Sequence, residues 1–188
     1  MKGRLRLAVA VAVVAALAVV VTTAIAGGGK DIREHLTGYQ EDPLALSTTG
    51  KGSFQARIDE AEQHIFYRLS YESLEGSPTQ AHIHFGGRAQ SGGISVWLCS
   101  NLPSPSPAPA GTQPCPMPSG TITGVIGASD VVGPSGQGIE PGQFDELVAA
   151  VRAGKTYANV HSTKYPAGEI RTQLDRGHTH RHGHHGKR

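Results

Sequence analysis

The sequence predicts an all-β protein, an antiparallel β-sandwich of Greek-key, superoxide-dismutase-like or Ig-like type with one short helix. Three observations carry this. Apolar and polar residues alternate over many short segments. Clusters of Gly, Pro and Ser separate those segments at close intervals. A single stretch carries a helical period. Successive side chains of a strand point to opposite faces, so alternation marks segments that bury one face and hydrate the other.

Taken in order, Phe54, Ala56 and Ile58 alternate with Gln55 and Arg57. Ile65, Tyr67, Leu69 and Tyr71 alternate with Phe66, Arg68 and Ser70. Ala81, Ile83 and Phe85 alternate with His82 and His84, and Ile94, Val96 and Leu98 with Ser95 and Trp97. Ile170, Thr172 and Leu174 close the series, interleaved with Glu169, Arg171 and Gln173. The exception is Phe144, Leu147, Val148 and Val151, spaced i, i+3, i+4, i+7 between Pro141 and Gly154. That spacing predicts an amphipathic helix over 142–153, with Asp145 and Glu146 at its N-terminal end and Arg152 in its last turn, as the helix dipole favours. Such a helix is expected to cover one open end of the sandwich.

The chain ends differ in composition from this domain. Lys2, Arg4 and Arg6 precede an unbroken apolar run from Leu7 to Val21, and Ala24-Ile25-Ala26 offers small residues for cleavage. Residues 1–26 are therefore expected to be a signal peptide, with an uncleaved anchor as the alternative. Cleavage would leave no stable membrane insertion. A polar lead is expected over 27–35 and the domain over 36–174. Residues 27–175 carry 10 Lys and Arg against 15 Asp and Glu. No cluster of cations with stacking aromatics suggests nucleic acid. Residues 175–188 hold no apolar side chain and are expected to be a disordered basic tail. Its His178, His180, His182, His184 and His185 form a candidate site for Zn, Ni or Cu, with a solvated tail as the plain alternative.

Cys99 and Cys115 are the two cysteines. An even count in an exported chain favours a disulfide. It would close a proline-rich loop.

The residues most able to carry chemistry lie in Ala81-His82-Ile83-His84-Phe85-Gly86 and Tyr157-Ala158-Asn159-Val160-His161-Ser162. Strand parity puts His82 and His84 on one face, and Asn159 and His161 on one face. Pairing these two strands would bring both sets together. Three imidazoles suit zinc or copper and leave a coordination position open. The alternative is a polar cluster that fixes strand register through hydrogen bonds. Glu169 and Arg171 share a strand face and could orient His161, pair with each other, or face solvent. No G-x-S-x-G, H-E-x-x-H or phosphate-binding Gly-rich loop is present.

The order AHIHFG, then YANVH running on to PAGEIRTQL, together with the opening Leu36-Thr37-Gly38-Tyr39-Gln40-Glu41-Asp42-Pro43, resembles the CHRD domain. That module is repeated in chordin and found singly in many bacterial secreted proteins. The resemblance spans about Leu36 to Leu174. It implies a secreted β-sandwich that binds an extracellular protein, with the GEIR segment as a hallmark of unassigned role; the histidines make a metal ion the other expected partner. The His-x-His strand is also similar to Cu,Zn superoxide dismutase. That enzyme needs six His and an Asp, whereas the domain holds only His35, His64, His82, His84 and His161. The expected function is thus a secreted, non-enzymatic module. A dismutase-like redox enzyme and a metal-buffering protein are the alternatives.

Overall fold

The computed structural model describes residues 31–175 apart from 62 and 106. The expected signal peptide and His-rich tail lie outside the described residues. Eight strands form one antiparallel sheet: β1 (Asp31–Thr37), β2 (Lys51–Asp59), β3 (His64–Glu72), β4 (Pro78–Phe85), β5 (Gly93–Ser100), β6 (Gly120–Ile126), β7 (Thr156–Ser162) and β8 (Ile170–Gln173). Their order across the sheet is β5-β4-β7-β8-β1-β2-β3-β6. The expected all-β antiparallel fold with one helix is present, its strands joined in a single sheet that curls until the two edge strands approach each other. Gln113 ties that seam, its side chain donating to Tyr67 Oη at 2.9 Å and its carbonyl accepting from Ser100 N–H at 2.9 Å. Tyr67 Oη in turn donates to the Leu98 carbonyl at 3.4 Å.

The alternation is clearest in β3, where Ile65, Tyr67, Leu69 and Tyr71 are buried while Phe66 and Arg68 are exposed. These side chains join Phe54, Ile83, Val96, Leu98, Val160 and Ile170 in one core inside the curl. Helix α1 spans Phe144–Arg152 and sinks Phe144, Leu147, Val148 and Val151 into the same core. Cys99 and Cys115 are bridged, with Cα atoms 5.0 Å apart.

Two strands differ from the sequence expectation. Residues 31–35, expected to be part of a polar lead, belong to β1, which buries Ile32 and Leu36 between exposed neighbours. Strand β6 has no counterpart in the sequence reading, although Ile122 and Ile126 are buried. Glycine at 124 removes the middle side chain of the series Ile122, Gly124, Ile126, and with it the alternation. Among the described residues, no helix is long and apolar enough to cross a membrane.

The sheet is not hydrated on its outer face everywhere. All seven residues of β7 and all four of β8 are buried. Loops 38–50, 86–92 and 163–168 fold over these strands, so polar side chains there are shielded from water.

Candidate metal centre

Register builds the site. His82 stands opposite Trp97 on β5 and Asn159 on β7, and Asn159 stands opposite Arg171 on β8. His84 faces Tyr157, while Gln80 faces His161. His161 therefore lies one same-face step along β7 from the residue opposite His82, within reach of a long side chain. The three imidazoles meet: each offers one ring nitrogen, and those atoms lie within 4.8 Å of one another. Among the described residues this is the one group of His, Cys, Asp or Glu arranged to hold a metal. The rings are 1%, 8% and 7% exposed for His82, His84 and His161, so water does not satisfy them.

Backbone carbonyls orient two of the rings. His84 Nδ1 lies 2.9 Å from the Gly92 carbonyl, and His161 Nδ1 lies 3.0 Å from the Pro166 carbonyl. A carbonyl only accepts, so each Nδ1 carries the proton and each Nε2 presents a lone pair. This is the arrangement by which metal-ligating histidines are oriented in general. His84 Nε2 has no hydrogen-bond partner, nor has His82 Nε2. His82 Nδ1 sits 3.2 Å from His161 Nε2. Packing fixes the rings further: His84 stacks on Tyr157 with centroids 4.7 Å apart, and His82 stands perpendicular to Trp97 at 4.3 Å.

Burial keeps the cluster neutral. Desolvation, then the neighbouring imidazoles, pushes His82 down to about 2. Desolvation also outweighs the Gly92 hydrogen bond at His84, which falls to about 4. His161 is lowered by burial, against the pull of the Pro166 carbonyl. Neutral imidazole is the form that ligates metal.

Glu169 and Arg171 make their side-chain hydrogen bonds to loop residues. Both are buried, so neither faces solvent. Glu169 Oε1 accepts from Thr48 Oγ1 and from Glu75 N–H, each at 2.7 Å, tying loop 38–50 and the β3–β4 connection to the residue that precedes β8. Arg171 donates from one amino group to the carbonyls of Gly87 at 2.8 Å and Gln90 at 3.0 Å. Its guanidinium lies 3.4 Å from the Tyr157 ring centroid. Arg171 thus holds the loop whose Gly92 carbonyl orients His84. Gln173 supports the same loop through the Gly86 carbonyl at 2.9 Å, and Tyr157 Oη accepts from Gly92 N–H at 3.2 Å.

Gly92 has to be glycine, because a Cβ there would lie 1.8 Å from the Phe85 carbonyl oxygen. Nearby, Glu41 lies over Gly168, whose φ of +133° and missing side chain make room for the carboxylate. Burial raises the Glu41 carboxyl to about 8 despite the opposing charge of Arg171. Gly92, Pro166 and Glu41 do not stand out in the sequence as site residues. Two of them act through backbone carbonyls, which leave no side-chain signature.

A family model, the CHRD domain, matches residues 32–174. The chain belongs to the CHRD domain family. No curated protein and no solved structure matches it. The match spans β1 through the end of β8, so the His cluster and the three loops that cover it all lie within the CHRD domain.

Proposed function

We propose that this protein is an extracytoplasmic, non-enzymatic CHRD module that holds one zinc or copper ion at His82, His84 and His161. The observation that carries the reading is the convergence of three buried imidazoles, with Nε2 of His84 left as a lone pair without a hydrogen-bond partner and Nε2 of His82 also unpartnered. A purely architectural cluster has no use for free lone pairs in a dry site, because each buried unsatisfied group costs about 1–3 kcal/mol. Export rests on the apolar N-terminal segment, and the Cys99–Cys115 bridge fits an oxidising compartment. A dismutase-like activity has little support, since a second metal would need ligands beyond this cluster. Metal buffering is the second reading, favoured by the five histidines of residues 178–185.

Trp97 provides the test, because it is the chain's single tryptophan and its ring lies 4.3 Å from that of His82. Copper(II) titrated into the purified protein is expected to quench Trp97 fluorescence with saturation at one equivalent. Quenching should persist when all five tail histidines are changed to Asn. It should vanish when His82, His84 and His161 are changed to Ala. Wild-type protein that shows no saturable quenching, and keeps no zinc or copper through dialysis, would overturn the domain site.

A further inference from the structure

Three nitrogen ligands leave a metal with an open position, and an open position is what a catalytic site requires. The surroundings of His161 bear on whether this one is open. Asn159 Oδ1 lies 3.2 Å from His161 Nε2. His161 Nε2 is a lone-pair atom, because the Nδ1 of the same ring is committed to the Pro166 carbonyl. An amide oxygen has only lone pairs as well. Two acceptors are therefore held at hydrogen-bond distance, 3% and 7% exposed, with no proton between them.

Turning the amide does not relieve this. Its NH2 would then approach the one Nε2 lone pair that His82 Nδ1 already faces at 3.2 Å. Two N–H donors would compete for a single acceptor. If His82 instead carried its proton on Nε2, its Nδ1 would be a third lone pair directed at the same spot.

A cation resolves all of these contacts at once. Ligand bonds of 2.0–2.1 Å in a tetrahedron place neighbouring donor atoms about 3.3 Å apart. The His82 Nδ1–His161 Nε2 and His161 Nε2–Asn159 Oδ1 separations are both 3.2 Å, two edges of such a figure. Register supports the same position, because Asn159 is directly opposite His82 on the adjoining strand.

We infer that Asn159 is the fourth ligand, its Oδ1 closing a tetrahedral set with His82, His84 and His161 around a divalent ion. This rests on the metal site proposed above and goes beyond it. A closed four-donor set holds its metal structurally, stapling β4 to β7, and leaves no place for a substrate.

Cobalt(II) gives the direct readout, because its visible bands distinguish four protein ligands from an open position. The full protein with its five tail histidines changed to Asn is loaded with one equivalent of cobalt and treated with azide. The wild-type site should show tetrahedral bands that azide leaves unchanged. Asn159→Ala should bind azide, with zinc affinity lowered about 10- to 100-fold or more, the range seen when even an outer-shell group is lost. Asn159→Asp should keep a closed site and bind zinc at least as tightly as wild type. Azide binding to the wild-type cobalt site would overturn the fourth ligand while leaving the three-histidine site standing. So would an Asn159→Ala protein that keeps wild-type zinc affinity and excludes azide. Failure of the wild type to take up cobalt or zinc would remove the proposed site itself. The wild-type azide arm decides the matter even if Asn159→Ala fails to fold.

Discussion

The metal-free protein should lose stability as the pH falls through the range where free histidine titrates, and His84 should carry a measurable share. In the unfolded chain its imidazole takes up a proton near 6.5, whereas in the folded protein burial delays this to about 4. Between those values the unfolded state binds more protons than the folded state, so stability rises with pH. The contribution is fully present above about 6.5 and lost as the pH falls toward 4. Each pH step of one between the two values is worth about 1.4 kcal/mol, so the whole window is worth about 3 kcal/mol, and the step from pH 7 to pH 5 about 2 kcal/mol. His82 and His161 act in the same direction, both being lowered. Glu41 acts in the opposite one: its folded value is raised to about 8, so its share is present below 4.5 and is lost as pH rises through 8. A difference measurement removes that opposing group. Urea unfolding of wild type and His84→Gln, each in chelator at pH 7 and pH 5, should show wild type losing about 2 kcal/mol more than the variant over that step. Equal losses in the two proteins would refute the account of His84 as a base held neutral by burial.

Three further outcomes follow from particular contacts. Gly92→Ala drives a Cβ into the Phe85 carbonyl 1.8 Å away and displaces the carbonyl that orients His84. Zinc affinity measured by chelator competition should fall about 10- to 100-fold, the range for loss of a ligand-orienting group. Reducing Cys99–Cys115 frees a loop with a sequence separation of 16. Thermal unfolding with and without a phosphine reductant should show up to about 3 kcal/mol of lost stability, less where the prolines already stiffen the loop. Leu147→Ala empties a fully buried position on α1. Chemical denaturation should register a loss of about 2–5 kcal/mol, and a change below about 1 kcal/mol would show that the helix is not part of the core.

Much of the architecture is legible in the sequence because strand period and burial are directly coupled. Ile65, Tyr67, Leu69 and Tyr71 can be assigned to one face without knowing the fold, and all four are in fact buried. The i, i+3, i+4, i+7 spacing marks α1 to within two residues at its start and one at its end. β1 escapes such a reading because Ile32 and Leu36 are spread among charged residues, and only the pairing with β2 makes that strand evident. β6 escapes it because Gly124 interrupts the pattern that pairing with β3 restores.

The division is similar at the site. Sequence alone determined that His82 and His84 share a face and that Asn159 and His161 share a face, since parity along a strand follows from backbone geometry. It also marked Cys99 and Cys115 as partners by count. Parity cannot tell what lies above a face. Only the tertiary structure decided that loops 38–50, 86–92 and 163–168 would shield that face, turning polar side chains that water could have satisfied into buried, neutral groups. Only it decided that the carbonyls of Gly92 and Pro166 would set the histidine tautomers, and that Arg171 would secure a loop instead of pairing with Glu169. The physical reason is common to the carbonyls of Gly92 and Pro166 and to those that Arg171 holds. A backbone carbonyl is the same group at every residue, so its role depends on where folding places it and leaves no trace in the order of side chains.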